Sequence, residues 1–61
     1  MNRINEGIII GTQVQLKSKR TNSIYLVTEM FKNFKGELWA VCKNIESDEI
    51  SHQPMYDLKA V

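Results

Sequence analysis

Apolar and polar residues alternate along the first third of the chain. The even positions from 8 to 16 are Ile, Ile, Thr, Val and Leu, while Gln13, Gln15 and Lys17 fall on odd positions. A period of two is typical of a strand with one buried face, so the pattern predicts a first strand over 12–17. Residues 18–23 contain no apolar side chain, which indicates a solvated loop.

A second strand is predicted over 24–31, where β-branched and aromatic residues dominate and both faces are apolar. Tyr25, Val27 and Met30 can share one face only if a β-bulge shifts the alternation after Val27. We therefore expect a bulged central strand that touches the core with one face and another apolar surface with the other.

Turn residues and a proline divide the rest of the chain. Pro54 cannot donate a backbone hydrogen bond to a sheet, so it ends a strand, and residues 54–58 then fit one short helical turn. The other predicted elements are a turn at 32–36, a third strand at 37–43, a polar turn at 44–48, a fourth strand at 49–53 and a last strand at 59–61 that pairs with the first.

Five short strands with one helical turn before the fifth predict an all-β protein. The expected architecture is a single small five-stranded barrel of the SH3-like kind over residues 8–61, with one short 3-10 turn before the last strand. Residues 1–7 are mostly polar and are predicted to form a flexible N-terminal tail. At 61 residues the chain has room for one domain.

Composition narrows the chemistry that the chain can perform. One cysteine, Cys42, excludes an internal disulfide, and with a single histidine, His52, the usual ligand set of zinc is missing, so we expect no metal and no cofactor. A lone thiol without an apolar signal segment suits a reducing compartment, and we expect a cytoplasmic protein. The longest apolar run, Ile8 to Ile10, is far too short for a membrane helix, so no membrane partner is expected.

Two segments resemble the YodC-like family of small bacterial proteins. The opening pattern of that family reads here as Gly11-Thr12-Gln13-Val14-Gln15-Leu16-Lys17-Ser18, and its third-strand step reads as Ala40-Val41-Cys42. Lys19-Arg20-Thr21 replaces the Gly-Gly-Pro that usually follows the first serine. The resemblance implies an SH3-like barrel with a different first loop.

The chain from Gly11 to Val61 also resembles the barrel of the plasmid-borne type II dihydrofolate reductase, without a gap. Matching positions are mostly turn, packing or surface residues: Gly11, Val14, Lys17, Ser18, Val27, Asn33, Glu37, Ala40, Val41, Pro54 and Leu58. The Val-Gln-Ile-Tyr that lines the pore of that enzyme falls on Ile50-Ser51-His52-Gln53, and its pore lysine falls on Leu16. The resemblance implies a shared barrel without the active site, and a related reductase is the least favoured function.

Two residues are candidates for catalysis, and each has a simpler structural role. His52 could act as a general base, but the nearby acids form no recognised catalytic spacing, so an ordinary surface or edge histidine is favoured. Cys42 could be a reactive thiol beside Lys43, yet its apolar surroundings favour a small buried side chain. We expect no catalytic residue and no enzyme activity.

Aromatic and basic residues are the candidate contacts for a partner. Both faces of the third strand cannot be core, so either Trp39 or its neighbours Leu38 and Ala40 face outward, and packing in the core and anchoring a partner both stay open for Trp39. The basic loops 17–20 and 32–35 could adjoin on one rim, with aromatic rings between them. Such a rim would suit nucleic acid, whereas solvated loops explain the same residues.

We therefore expect a non-enzymatic interaction module, a small accessory or regulatory protein of a bacterium or a phage, that binds a protein partner through loops and edge strands. A nucleic-acid-binding barrel is the alternative. The predicted partner-binding residues are Trp39, Tyr25, Phe31, Phe34, Lys19 and Arg20. A homo-oligomer is also expected, because the second strand has two apolar faces and one barrel has one interior. Its predicted interface comprises Ile8, Ile9, Ile10, Ile24 and Leu26.

Overall fold

The computed structural model describes residues 7–61, so the predicted N-terminal tail lies outside the described residues except for Gly7. Five antiparallel strands form one sheet in the order β4-β3-β2-β1-β5, and a single 3-10 turn precedes the last strand. The strands are β1 (Gln13–Leu16), β2 (Tyr25–Lys32), β3 (Leu38–Asn44), β4 (Ile50–Pro54) and β5 (Leu58–Ala60), and the 3-10 turn is Met55–Asp57. The predicted all-β architecture is confirmed, including the pairing of the last strand with the first.

Alternate residues of β1, β2 and β3 meet in one core. The period of two that predicts these strands also puts the apolar residues of each strand on one side of the sheet. Met55 of the 3-10 turn and Leu58 of β5 pack against them. The buried apolar side chains are Ile8, Val14, Leu16, Tyr25, Val27, Ala40, Cys42, Met55 and Leu58.

Burial corrects two of the surface contacts expected from the sequence. Tyr25, predicted to bind a partner, is 4% exposed, and Ile8, predicted at an oligomer interface, is 6% exposed. Both side chains lie in the hydrophobic core of the protein's own fold. Since apolar burial is the main force that folds so small a domain, these residues stabilise the core and are not available to a partner.

A β-bulge interrupts β2 where the sequence predicts it. Val27 pairs with Cys42 and Glu29 pairs with the next residue of β3, Val41, so Thr28 is the extra residue. The Thr28 hydroxyl donates a hydrogen bond to the Val41 carbonyl oxygen at 3.3 Å. The extra residue shifts the alternation, and Met30 consequently packs against the same core as Val27.

The 3-10 turn is tied to the start of the first loop. The Lys17 N–H donates to the Asp57 carbonyl oxygen at 2.8 Å, and the Ser18 hydroxyl donates to the Asp57 carboxylate at 2.8 Å. These bonds hold the chain between β4 and β5 against the end of β1. No helix among residues 7–61 is long and apolar enough to cross a membrane.

Candidate functional site

The sheet formed by β2, β3 and β4 has a second side, turned away from the core. Residues paired across neighbouring strands project to the same side, so the register of the three strands defines which residues share it. We call this side the outer face. It consists of Leu26, Glu29, Phe31, Trp39, Val41, Lys43, Ile50, His52 and Pro54. Most of these side chains are apolar, yet each is only partly buried or exposed.

Three aromatic rings form a cluster on the outer face. The ring centroids of Phe31 and Trp39 are 6.5 Å apart with an interplanar angle of 34°, and those of Phe31 and His52 are 5.8 Å apart at 71°. Because Phe31 is on β2 and His52 on β4, the Phe31 ring extends across β3. Aromatic pairs at these separations attract each other beyond their burial, so the three rings stabilise one another's positions.

Trp39 has an unused hydrogen-bond donor. Its indole Nε1–H is buried, and no acceptor among residues 7–61 lies within hydrogen-bond distance. A buried donor without an acceptor costs free energy, and tryptophan N–H groups usually find a partner when buried. The enclosed indole N–H therefore lowers the stability of the fold around Trp39.

The turn between β2 and β3 presents an exposed phenylalanine beside the aromatic cluster. The Asn33 side-chain oxygen accepts hydrogen bonds from the N–H groups of Lys35 and Glu37, both at 2.9 Å. Gly36 has a φ of +83°, a conformation that glycine adopts without strain. Phe34 at the tip is 93% exposed, and the Lys35 ammonium lies 5.9 Å from its ring centroid. The turn is thus well ordered and displays Phe34 to solvent.

The two basic loops do not adjoin, which corrects the expectation of one basic rim. Loop 17–20 precedes the start of β2, and 32–35 lies at its end. A strand of this length separates its ends by roughly 26 Å. An acidic group lies beside the first loop, because the Ser18 hydroxyl donates to the Asp57 carboxylate at 2.8 Å. Lys19 and Arg20 are exposed.

The candidate catalytic residues lie where the simpler interpretation puts them. Cys42 is fully buried, and burial, with a smaller contribution from Asp57, raises the pKa of its thiol above 9.0. A thiol with a raised pKa is a poor nucleophile at neutral pH. His52 is exposed on the edge strand β4. Within residues 7–61 there is no cluster of three metal-ligating side chains and no cleft.

The structure extends the predicted contact set. Phe31 and Trp39 come together at one end of β2 and β3, Phe34 lies in the turn at that end, and Trp39 rather than Ala40 faces outward. Val41, His52 and Pro54 join them, although the sequence did not single them out as contacts. Val41 could have been predicted, because it lies two residues after Trp39 on the same strand. His52 and Pro54 share this face only because of the register of β4, which the sequence does not give. Ile9 and Ile10 are exposed, and Ile24 and Leu26 are partly exposed, as a contact surface requires.

No protein family's sequence profile matches the chain, and neither a curated protein sequence nor a solved structure is significantly similar to it. The resemblance to the YodC-like family and to SH3-like barrels therefore stays a prediction.

Proposed function

We propose that this protein is a non-enzymatic interaction module that binds a protein partner through the outer face and the adjoining Phe34. The observation that carries the proposal is the aromatic and aliphatic surface left uncovered on β2, β3 and β4. Apolar surfaces of this kind, rimmed by charged residues such as Glu29 and Lys43, are typical of protein contact sites. The biological setting we propose is that of a small cytoplasmic accessory or regulatory protein of a bacterium or a phage.

The composition and shape of the outer face support a protein partner. Tryptophan and other large aromatic residues contribute most of the binding energy at many interfaces, and Trp39 lies on β3, the middle strand of the outer face. Small-molecule sites are concave, whereas no cleft is found among the described residues.

Nucleic acid is the less favoured partner. Binding a polyanion depends on several cations that can contact neighbouring phosphates. Here the two basic loops are at opposite ends of β2, and the Asp57 carboxylate contacts the first loop through Ser18. The formal net charge of the whole chain is +1, which provides little long-range attraction.

Site-specific photo-cross-linking in the native host tests the proposal. A benzoyl-phenylalanine at position 34 replaces a side chain that is 93% exposed, so it perturbs no packing. The matched control carries the same group at Ile45, a 48% exposed residue at the far end of β3. We expect a discrete protein adduct from position 34, absent from the control and weakened by Phe31→Ala. Nucleic acid adducts, identical adducts from both positions, or no adduct would contradict the proposal.

A further inference from the structure

One side of β4 offers unpaired backbone groups in a defined pattern. The Asn44 N–H donates to the Glu49 carbonyl oxygen at 2.8 Å, which makes this a hydrogen-bonded pair of the β3–β4 ladder. Hydrogen-bonded and non-hydrogen-bonded pairs alternate in an antiparallel ladder, so Ser51 and Gln53 bond to β3. The N–H and C=O groups of Ile50 and His52, and the C=O of Pro54, therefore point away from β3. Among residues 7–61, β4 has no second neighbouring strand.

The two edges of the sheet differ in how well they resist further pairing. Natural edge strands are protected by shortness, by charged side chains, especially lysine, or by proline. β5 has three residues and carries Lys59, so it has two of these protections. β4 has five residues, Ile50–Pro54, without any Asp, Glu, Lys or Arg, and its proline is the last residue. β4 is thus the edge open to another strand.

We propose that a second copy of this chain pairs antiparallel with β4 about a two-fold axis at His52. In this register each His52 N–H donates to the His52 C=O of the other copy, and each Ile50 N–H donates to the opposite Pro54 C=O. The missing N–H of Pro54 is tolerated because Ile50 supplies the donor of that pair. No formal charge within β4 opposes a like charge, and all five residues of the strand are paired.

The pairing continues the sheet from one copy to the other. It joins the two outer faces side by side, so that the aromatic cluster of each copy becomes part of one larger surface. A contact of two five-residue strands extends about 17 Å and buries less than a standard stable interface, so the dimer exchanges with monomer in the micromolar range or above. The inference does not depend on the proposed function, since it concerns the edge of the sheet.

Two substitutions at one position separate backbone pairing from side-chain effects. His52→Pro removes the central N–H donor of the proposed pairing. In the monomer this N–H faces solvent, so a proline at this position is compatible with the edge strand. His52→Ala removes the imidazole but keeps the N–H. We expect sedimentation velocity to show a concentration-dependent dimer for the full chain and for His52→Ala, and a dissociation constant raised roughly thirtyfold for His52→Pro. Circular dichroism checks that each variant stays folded.

Cross-linking tests the register independently of dimer strength. In a Cys42→Ala background, His52→Cys places two thiols on facing residues whose Cα atoms are about 5.5 Å apart, within the range of a disulfide. Ser51→Cys is the matched control, because its side chain points to the opposite side of the sheet. We expect a covalent dimer from position 52 and none from position 51. Any of three results would overturn the pairing. The wild type could stay monomeric up to about 1 mM, His52→Pro and His52→Ala could have equal dissociation constants, or the cross-link could form at position 51 instead of position 52. The photo-cross-linking at position 34 is read separately from the mass of its adduct, because an adduct with a second copy of this chain adds 7.1 kDa.

Discussion

At the scale of single residues, burial determines the chemistry of Cys42. Its side chain is fully enclosed by the core, and desolvation raises the pKa of the thiol, with a smaller contribution from Asp57. The folded protein therefore holds its thiol proton at a pH where the unfolded chain, with a thiol pKa near the ordinary 9.0, has released it. The Cys42 side chain therefore acts as a packing residue of the core, and its deprotonation is thermodynamically linked to unfolding.

This linkage predicts how stability depends on pH. Below the ordinary thiol pKa both states are protonated, and the stabilisation is fully present. As pH rises beyond 9.0 the unfolded state alone loses the proton, so the free energy of unfolding falls, by at most about 1.4 kcal/mol per pH unit. Urea unfolding of the wild type and of Cys42→Ala at neutral and alkaline pH measures the difference. A loss of stability that is the same in both proteins would show that other groups cause it.

At the scale of the elements, the bulge at Thr28 gives an unusual prediction for deletions. Val27 and Met30 both face the core because Thr28 is an extra residue between two paired positions of β2. Without Thr28 the simple alternation of the strand still directs Met30 to the core and Glu29 and Phe31 to the outer face. We expect the Thr28 deletion to fold, with a lower melting temperature because the bend is lost.

Deletion of Leu26 is the matched control for the bulge. It reverses the faces of β2 before the bulge and turns Tyr25 out of the core, so we expect no cooperative unfolding transition. Near-ultraviolet circular dichroism and thermal unfolding distinguish the two deletions. Equal loss of structure in both would show that Thr28 is required in the strand for another reason.

Local patterns predict most of this fold. Alternation in β1, the phase shift after Val27, and the proline that ends β4 before the 3-10 turn each depend on nearest neighbours, and each agrees with the structure. The contact residues depend on more distant neighbours. Whether Tyr25 or Trp39 enters the core is decided by the phase of each strand and by the register of its partner strands. An alternating pattern with two apolar faces does not contain that information.

At the scale of the whole molecule, the distribution of charge limits nucleic-acid binding. Lys19 and Arg20 lie at one end of β2, and Lys32 and Lys35 lie at the other. A strand of this length separates the loops by roughly 26 Å, so they cannot share neighbouring phosphates. Each loop alone offers two or three cations, and the Asp57 carboxylate lies beside the first loop. The protein should therefore bind an oligonucleotide weakly.

Salt dependence measures how many phosphates are contacted. On a single strand, each neutralised phosphate contributes about −0.7 to the slope of log affinity against log salt concentration, so one loop gives a slope of roughly −1.4 to −2.1 and both loops together give a steeper one. Anisotropy of a labelled single strand, with Lys19→Glu/Arg20→Glu and Lys32→Glu/Lys35→Glu as matched pairs, resolves the two loops. We expect the shallow slope, only weak binding at physiological salt, and independent effects of the two pairs. Submicromolar affinity at physiological salt that is lost on reversing the charges of Lys19 and Arg20 would contradict this expectation. It would show that the first loop alone makes a strong electrostatic contact, and nucleic acid would then be the favoured partner.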